Sequence, residues 1–559
     1  MAFVISLFAA RLIQLQGIDE NDYAALAVEK NATTVTLEAL RASVYDRNGV
    51  ALAQSVDASK LVADPTFTKR YATQIATTLH RRLGADYIAT LALLRKPDTR
   101  YVELARHLDP KRAGAVVEYL TSRRWAGVYA DVDTARSYPA GDVAANLVGF
   151  VGNDNTGLSG FESTLDSVLA GTDGSATFQM ADGQQLPLAD NAVVEPIEGT
   201  GVRLTIDQDL QFLAQRRLGE AVRQAGATSG SAVVMDVKTG QLLALADYPT
   251  FNPNDYLDFP ASDYGSRALQ DVYEPGSVEK VLTFASLIDG GYVTPRTKIT
   301  VPSTLSRVGG QTIHDYFTHG TLRLTAAGVV AKSSNIGTVL ASEAIPDQQF
   351  YDYLRSFGLG TATGAGLAGE SPGLLPAPAD WLPITSDTIA FGQGLSVNAV
   401  QMAAAISAVA NGGVYVQPSL VESYVDSAGN VTPVAAPATH RVVSAHAAHQ
   451  VSRMMELVVG DEGTAPDAAI TGYRVAGKTG TAQRASRGGG YRGFTVSFAG
   501  FAPADAPRFV VYVVVQKPTD GNGGGSTGGP VFHDLMTAAL QKFGVPPTGT
   551  HEPALPVDW

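Results

Sequence analysis

The sequence predicts an α+β protein whose second domain is built on a five-stranded antiparallel sheet flanked by helices. Two β-rich runs, 229–237 and 240–249, follow each other across a short polar turn, which is typical of a hairpin. Three more such runs, at 471–476, 493–503 and 508–518, come from a distant part of the chain. The long region between the two groups has mainly helical patterns. Strands and helices separated in this way favour one sheet with helices packed against it.

Composition places the chain among ordinary globular proteins and excludes several kinds of site. It has 559 residues, of which 45% are hydrophobic and 17% are charged, so about two to four domains are expected. The absence of cysteine excludes disulfides, thiolate metal sites and cysteine nucleophiles. The net charge of −13 repels a phosphate backbone, which argues against nucleic-acid binding.

The chain begins with the apolar run MAFVISLFAA, which ends at Arg11. A membrane-spanning helix needs about 20 apolar residues, and this run is shorter. It also lacks the basic region and the small-residue cleavage site of a signal peptide. The residues alone leave two interpretations open, namely the outer half of a transmembrane helix or an ordinary buried helix.

A change of pattern near residue 201 marks the main domain boundary. Residues 17–200 mix short helical stretches with strand-like pieces and many turns. At 202–206 a short strand leads to Asp207, which fits the N-cap of the long amphipathic helix that follows. We therefore expect four segments, a terminal segment (1–16), an N-terminal domain (17–200), a second domain (201–548) and a C-terminal tail (549–559).

The tripeptide Lys-Thr-Gly occurs twice, and its surroundings distinguish the two copies. The copy at 238–240 lies in the turn of the predicted hairpin, where polar residues and glycine are expected for structural reasons. The copy at 478–480 lies on or beside the first strand of the second group. Motifs this short also match by chance, so either copy needs further residues to support it.

Ser277 and Lys280 have the spacing of a nucleophile and its base. Ser277 follows Pro-Gly and precedes a helical apolar pattern, so the two side chains share one face of the first turn. A neutral lysine could take the serine proton, but an ordinary lysine is protonated at neutral pH. Lowering its pKa requires burial, the positive end of a helix dipole or a second cation nearby. The alternative is a non-catalytic pair, an N-capping serine followed by a solvated lysine.

Ser333 and Asn335 form a Ser-x-Asn pair between two helical runs. A serine hydroxyl there can pass a proton between a base and a leaving amine. An asparagine amide can hold the backbone of a peptide substrate. A second Ser-x-Asn pair, Ser396 and Asn398, precedes a buried helical pattern, where a capping role is sufficient.

The later Lys-Thr-Gly copy supplies the remaining groups. Lys478 is expected to be the second cation that lowers the pKa of the base and attracts a substrate carboxylate. Thr479 and Thr481 offer hydroxyls to the same carboxylate, and Gly480 lets a ligand approach the strand backbone closely. The backbone N–H groups of Thr481 and Ser277 are expected to form an oxyanion hole.

In this order, the motifs at 277, 333 and 478 resemble those of the penicillin-recognising acyl-serine transferases. Longer stretches such as SVYDRNGVALA (43–53) and GYRVAGKTGTAQ (472–483) resemble class B penicillin-binding proteins, the monofunctional peptidoglycan D,D-transpeptidases. The likeness covers nearly the whole chain. Within the class, it is strongest to the FtsI-type division enzyme of actinobacteria.

The resemblance implies a penicillin-binding/β-lactamase-like transpeptidase domain preceded by an elongated pedestal domain. It implies that Ser277 is acylated by stem peptides ending in D-Ala-D-Ala, or by β-lactams, during septal cell-wall synthesis. It favours a membrane-anchor remnant at 1–16, with the catalytic domain on the extracytoplasmic face of the cell membrane. The implied partners are an FtsW-type glycosyltransferase and other division proteins, and neither a cofactor nor a metal is expected.

Two positions depart from the family's usual pattern. Arg41 is followed by Ala42, where the family commonly has glycine. Val278 and Glu279 stand between the nucleophile and the base, where the family often has Thr-Phe. A carboxylate at Glu279 facing the site would raise the pKa of Lys280. We expect Glu279 to point outward, since neighbouring helical residues face different ways.

Two other functions are alternatives to the transpeptidase. A β-lactamase or D,D-carboxypeptidase type of hydrolase needs a carboxylate to activate water, and Glu370 is the candidate for that role. A non-catalytic β-lactam sensor or scaffold would bind without transferring a peptide. The presence of all three motifs and of a large N-terminal domain favours the transpeptidase.

Overall fold

The computed structural model describes residues 2–13, 32–181, 184–185, 192–307, 310–485, 490–519, 523–551 and 554–559. The strands before residue 200 are β1 (Ala32–Leu37), β2 (Val44–Tyr45), β3 (Ala51–Ala63), β4 (Val102–Leu108), β5 (Val128–Ser137), β6 (Gly174–Ala181), β7 (Gln184–Gln185) and β8 (Ala192–Val194). The helices of the same region are α1 (Ala2–Ile13), α2 (Pro65–Thr68), α3 (Ala72–Leu83), α4 (Tyr87–Leu94), α5 (Pro110–Ser122), α6 (Ala145–Val148), α7 (Gly160–Thr164) and α8 (Asp166–Leu169).

The strands after residue 200 are β9 (Gly201–Leu204), β10 (Ser229–Asp236), β11 (Leu242–Tyr248), β12 (Lys298–Val301), β13 (Leu305–Ser306), β14 (Thr312–Ile313), β15 (Leu322–Thr325), β16 (Val414–Val416), β17 (Val421–Val425), β18 (Val431–Pro433), β19 (Thr439–Arg441), β20 (Ala476–Ala485), β21 (Tyr491–Ala502) and β22 (Phe509–Gln516). The helices are α9 (Gln208–Gln224), α10 (Arg267–Gln270), α11 (Lys280–Asp289), α12 (Ala326–Lys332), α13 (Asn335–Ser342), α14 (Asp347–Ser356), α15 (Thr385–Ala390), α16 (Ala399–Ala410), α17 (Ala445–Val459) and α18 (Gly529–Lys542).

The N-terminal part has its own small core. Strand β3 pairs antiparallel with both β4 and β5, and α3, α4 and α5 pack against this sheet. Their apolar faces meet in one cluster, which includes Leu61, Leu79 and Leu120. A separate sheet is formed by β1, β6, β7 and β8.

The second part is built on a five-stranded sheet with the order β11-β10-β22-β21-β20. Every neighbouring pair is antiparallel. Alternate residues of β10 enter two different cores, because successive side chains of a strand point to opposite faces. Val234 packs on the side of α9 and α18, whereas Val233 packs on the side of α11 and α16. The predicted α+β class and the five-stranded antiparallel sheet are therefore confirmed.

A second sheet joins the two parts of the chain. Strand β9 pairs in parallel with β2 and antiparallel with β17, which gives the order β18-β17-β9-β2-β3-β4. Next to this sheet, Asp207 caps α9 by accepting a hydrogen bond from the backbone N–H of Leu210, at 3.1 Å, as the sequence predicted. The boundary near 201 therefore lies in a strand that both parts share.

The two ends of the chain differ in their packing. The apolar N-terminal run forms α1, which has 12 residues. No helix among the described residues is both long and apolar enough to cross a bilayer. Near the C-terminus, the carbonyl of Val557 accepts a hydrogen bond from the N–H of Thr325, at 2.9 Å, so the tail packs at the start of α12.

Candidate active site

Ser277 lies in a single 3₁₀ turn, Gly276–Val278, that leads into α11. Gly276 has a φ of 56°, and a Cβ on it would lie 2.9 Å from the carbonyl oxygen of Thr481. Glycine is therefore required directly before Ser277 by both conformation and space. The turn rests against β20, which leaves Ser277 half-buried.

Lys280 begins α11 and is completely buried, with an exposed fraction of 0%. Its Nζ donates to the carbonyl oxygen of Ser333 at 2.6 Å and to Oδ1 of Asn335 at 2.8 Å. The hydroxyl of Ser333 is farther away, at 3.5 Å. These contacts contradict a solvated lysine and fix the amine beside the Ser-x-Asn pair.

Lys478 of β20 reaches the same place from the sheet. It too is completely buried, and its Nζ donates to Oγ of Ser333 at 2.8 Å and to the carbonyl oxygen of Thr479 at 3.0 Å. Ser333 therefore lies between the two lysines and contacts one through its carbonyl and the other through its hydroxyl. The structure brings all three predicted motifs together at this residue.

Burial governs the protonation of both lysines. It lowers the pKa of Lys280 to about 7, and the nearby negative charge of Asp315 opposes this effect. Burial also lowers the pKa of Lys478 well below its ordinary value, and the charge of Lys280 adds to this effect. The sequence predicted that Lys478 lowers the pKa of Lys280. The structure instead gives burial as the cause at Lys280, and the effect of one lysine on the other lowers the pKa of Lys478.

Asn335 begins α13 and uses both ends of its amide inside the protein. Oδ1 accepts from Lys280, and Nδ2 donates to the carbonyl oxygen of His314 at 2.9 Å. Its neighbour Ser334 caps the same helix. The side chain expected to hold a peptide substrate is thus also part of the support of Lys280.

Asp315 is a residue of this site that the sequence motifs did not reveal. Its side chain is completely buried and accepts from Oγ of Ser334 at 2.6 Å and from the N–H of Ile336 at 3.0 Å. His319 lies 3.1 Å from the same carboxylate. Asp315 therefore holds the start of α13 and places a negative charge near Lys280. It comes from a loop well before Ser333, where no short motif marks it.

Close packing within the protein requires glycine at position 480, in the later Lys-Thr-Gly copy. A Cβ on Gly480 would lie 2.2 Å from Oγ of Ser497 and 3.1 Å from the carbonyl oxygen of Pro275. This requirement holds whether or not a ligand also approaches β20 here, because the strand already contacts the turn that carries Ser277. Thr481 is exposed, whereas Thr479 is buried and lies 2.9 Å, between hydroxyl oxygens, from Thr464.

The expectation that Glu279 points outward is wrong. Its exposed fraction is 0%, and Oε2 lies 2.7 Å from Oγ1 of Thr283. Every residue of α11 from Lys280 to Ile288 is buried, so this helix has no solvent face for Glu279 to share. The rule that neighbouring helical residues face different ways therefore places Glu279 against another element rather than in water.

The rival motif copies have structural roles. Asn398 caps α16 and forms a capping box with Gln401. Gly240, in the earlier Lys-Thr-Gly copy, has a φ of 73° in the hairpin turn.

Glu370, the candidate carboxylate of a hydrolase, accepts hydrogen bonds from the backbone N–H groups of Thr363 and Gly364, at 2.7 and 3.0 Å. Its carboxylate is thus engaged in holding a loop.

Two protein families match this chain. Residues 36–204 match the family described as Penicillin-binding Protein dimerisation domain, and residues 230–537 match the Penicillin binding protein transpeptidase domain. The first range ends with β9, and the second runs from β10 into α18.

Similar proteins are known from several bacteria. The penicillin-binding protein PbpB of Mycolicibacterium smegmatis is 35% identical, over 97% of this chain and 89% of that protein. The peptidoglycan D,D-transpeptidase FtsI of Escherichia coli is 33% identical, over 95% of this chain and 87% of that protein. The crystal structure of penicillin-binding protein 3 from Mycobacterium tuberculosis, complexed with aztreonam, superposes with a TM-score of 0.73 at 32% identity, over 94% of this chain and 100% of that chain. The chain therefore belongs to the class B penicillin-binding proteins of the FtsI type.

Proposed function

We propose that the chain is a serine-type peptidoglycan D,D-transpeptidase, which cross-links stem peptides ending in D-Ala-D-Ala during septal cell-wall synthesis. The observation that carries the proposal is the meeting of two fully buried lysines at Ser333, beside the turn that presents Ser277. The similarity to FtsI of Escherichia coli, a peptidoglycan D,D-transpeptidase, supports this activity, and the similarity to PbpB supports penicillin binding.

Lys280 is arranged to act as the general base. A neutral amine has two N–H groups and one lone pair. The two short contacts of Nζ, to the carbonyl of Ser333 and to Oδ1 of Asn335, use both N–H groups. The lone pair is then free for the proton of Ser277, one helical turn away. A pKa of about 7 keeps a large fraction of Lys280 neutral at physiological pH.

The acylation step follows from these positions. Oγ of Ser277 attacks the penultimate D-Ala carbonyl while Lys280 takes its proton. The backbone N–H groups of Ser277 and Thr481 stabilise the oxyanion. The C–N bond then breaks, and Ser333 passes the proton to the departing D-Ala nitrogen. In the second half of the reaction, an amine of a neighbouring stem peptide attacks the acyl-serine ester. The new amide bond forms the cross-link, the ester bond to Oγ of Ser277 breaks, and the proton lost by the amine returns to Oγ.

Lys478, Thr479 and Thr481 are proposed to hold the terminal carboxylate of the donor peptide. Burial favours the neutral form of Lys478 in the free protein. A bound carboxylate would raise the pKa of Lys478 again, because an opposite charge stabilises the ammonium. Gly480 brings the strand backbone close to the donor peptide, and Asn335 orients that peptide from the opposite wall.

The first test is the intact mass of the protein after brief exposure to benzylpenicillin. We expect one stable adduct on the native chain and on Ser396→Ala, a control in the other Ser-x-Asn pair, and no adduct on Ser277→Ala. An adduct on Ser277→Ala would remove Ser277 from its assigned role. Cross-linked product from a donor peptide and an acceptor amine then distinguishes the transpeptidase from a sensor that is only acylated.

Glu370, the carboxylate considered for the hydrolase alternative, is already engaged in hydrogen bonds. Glu370 is bound by two backbone N–H groups and lies 3.3 Å from Nδ2 of Asn398. A general base needs an oxygen that can accept a proton from water. Rapid loss of the penicillin adduct with accumulation of hydrolysed drug would nevertheless assign the chain to the hydrolases.

The location and the partners are part of the same proposal. The segment 1–16 is taken as a membrane-anchor remnant, 17–200 as a pedestal, 201–548 as the transpeptidase domain and 549–559 as a tail. The substrate is an extracytoplasmic polymer, so the catalytic domain belongs on the outer face of the membrane. An FtsW-type glycosyltransferase and other division proteins are the proposed partners.

A further inference from the structure

Glu279 is a buried carboxyl group that forms no ion pair within the described part of the chain. It is completely buried within the first turn after the nucleophile. Its Oε2 lies 2.7 Å from Oγ1 of Thr283, while Oε1 has no hydrogen-bond partner among the residues that the structure describes. A buried carboxylate normally has a paired cation or several N–H donors. Held by one hydroxyl, an ionised Glu279 would be poorly stabilised.

The hydroxyl of Thr283 has two oxygen neighbours and only one proton. Its Oγ1 lies 2.7 Å from Oε2 of Glu279 and 2.8 Å from the carbonyl oxygen of Ala390. A hydroxyl donates one proton and accepts on its lone pairs, whereas a carbonyl oxygen can only accept. Both short contacts are hydrogen bonds only if Oε2 itself carries a proton and donates it to Thr283.

Ala390 needs the proton of Thr283. It is the last residue of α15, and the carbonyl groups at the end of a helix have no donor within that helix. Ala390 is completely buried, so water does not replace this donor at its carbonyl. The direction of the chain of hydrogen bonds is therefore fixed from Glu279 through Thr283 to Ala390.

We propose that Glu279 is a neutral carboxylic acid that positions the nucleophile turn. Its Oε2–H donates to Thr283, whose hydroxyl donates to Ala390, so the first turn of α11 is tied to the end of α15. The positioning role rests on the acyl-serine function proposed for Ser277, whereas the protonation state of Glu279 does not.

The segment after Ala390 explains why this link affects the nucleophile. The N–H of Gly276 donates to the carbonyl oxygen of Gly392 at 2.9 Å. A Cβ on Gly392 would lie only 2.1 Å from the carbonyl oxygen of Gly276. The turn that carries Ser277 thus contacts the segment directly after Ala390 at Gly392. The link from Glu279 through Thr283 holds the same segment at Ala390.

Burial favours the neutral acid at physiological pH. It raises the pKa of Glu279 well above the ordinary carboxyl value, against the opposing effects of the hydrogen bond with Thr283 and of the charge on Lys280. The carboxylate that α15 carries, Asp387, is paired with Arg307 at 2.9 Å. Ionisation of Glu279 at alkaline pH would leave two acceptors facing one hydroxyl proton, and would thereby loosen the nucleophile turn.

Difference infrared spectroscopy tests the protonation state directly. Glu279→Gln keeps the shape of the side chain and an N–H donor towards Thr283, but cannot ionise. We expect the native-minus-variant spectrum at pH 7 to contain a carboxylic-acid C=O band. Glu456→Gln is the matched control, because buried Glu456 is ion-paired with Arg474 at 2.7 Å and should lose carboxylate bands instead. Carboxylate bands for Glu279 would overturn the proposal.

The rate of acylation by benzylpenicillin as a function of pH tests the positioning role. We expect the native rate to fall on the alkaline side, and Glu279→Gln to abolish that fall while keeping the rate at pH 7 within about threefold of native. Thr283→Val should lose about tenfold or more, and Thr283→Ser should restore most of the rate. The same alkaline fall in Glu279→Gln would refute the role. If no chain, native included, is acylated, the function proposed for Ser277 fails while the infrared result still decides the state of Glu279.

Discussion

Ser333 shows how one residue can serve two lysines at once. It caps α12 with a φ of 59°, in the left-handed region that side chains other than glycine rarely adopt. Such a conformation costs about 1–2 kcal/mol. In return, the carbonyl of Ser333 faces Lys280 while its hydroxyl faces Lys478. A residue with a strained backbone that contacts two buried amines is typical of a functional site.

The hydroxyl of Ser333 can be tested separately from its backbone. Ser333→Ala keeps the carbonyl contact to Lys280 and removes the proton path to the leaving amine. We expect acylation by a peptide substrate to fall by about 10²- to 10⁴-fold, the usual range for a lost proton-transfer group. Ser396→Ala is the control, because that Ser-x-Asn pair belongs to the cap of α16. Equal rates for both variants would exclude Ser333 from proton transfer.

Among the elements, α13 links the base to a loop that lies far away in sequence. Asp315 accepts from Ser334 and from the N–H of Ile336, and so fixes the start of the helix that presents Asn335. The same carboxylate opposes the effect of burial on the pKa of Lys280. The orientation and the protonation of the base therefore share one support.

Asp315→Asn should change the pH dependence of acylation in a defined direction. Lys280 must be neutral to act as the base, and its pKa is about 7, so the native rate should rise with pH through about 7. Removing the negative charge of Asp315 lowers the pKa of Lys280 further, which moves this rise to lower pH. The same variant should lose about 1–3 kcal/mol of stability, because buried donors lose part of their partner.

Asp289 provides the matched control for that experiment. It ends α11 and accepts from the N–H of Ser444 at 2.7 Å and from the hydroxyl of Tyr353 at 2.8 Å. Asp289→Asn should destabilise the fold to a similar degree without moving the pH at which acylation rises. If Asp315→Asn leaves that pH unchanged as well, its charge does not act on Lys280.

Local patterns predicted the elements well, and contacts between elements less well. The cap at Asp207, the capping role of Asn398 and the hairpin turn at Gly240 all follow from neighbouring residues, and all are observed. The burial of Glu279 could not be read from its neighbours, since its partner Thr283 is joined to the end of α15, which is distant in sequence. Asp315 could not be found because the loop that carries it is joined to α13 only in the folded chain.

At the scale of the whole molecule, β9 makes the two parts of the chain one structural unit. Val202 and Leu204 are completely buried between the strands on either side, β2 and β17. The ion pair between Asp207 and Lys542, at 2.9 Å, and the contact of Asn48 with Asp207, at 3.1 Å, lie directly after this strand. The second part therefore depends on the first part for β2, the strand that covers one edge of β9.

A chain limited to residues 201–559 should be less stable than one covering 32–559. It lacks β2, so β9 becomes an exposed edge strand with apolar residues, which favours aggregation. We expect the melting temperature to fall by about 4 °C or more, to be measured by calorimetry. The chain 32–559 controls for the loss of the N-terminal segment. Identical melting temperatures would mean that the shared sheet does not couple the two parts.

The glycines beneath the nucleophile limit how this protein can change under selection by a drug. At Gly276, Gly392 and Gly480, a Cβ would collide with neighbouring backbone or side-chain oxygens. Any larger residue there must displace the turn that carries Ser277, and thus impairs the reaction with the natural peptide together with the reaction with the antibiotic. Substitutions that slow the reaction with the drug while preserving growth are therefore expected at positions other than these three glycines.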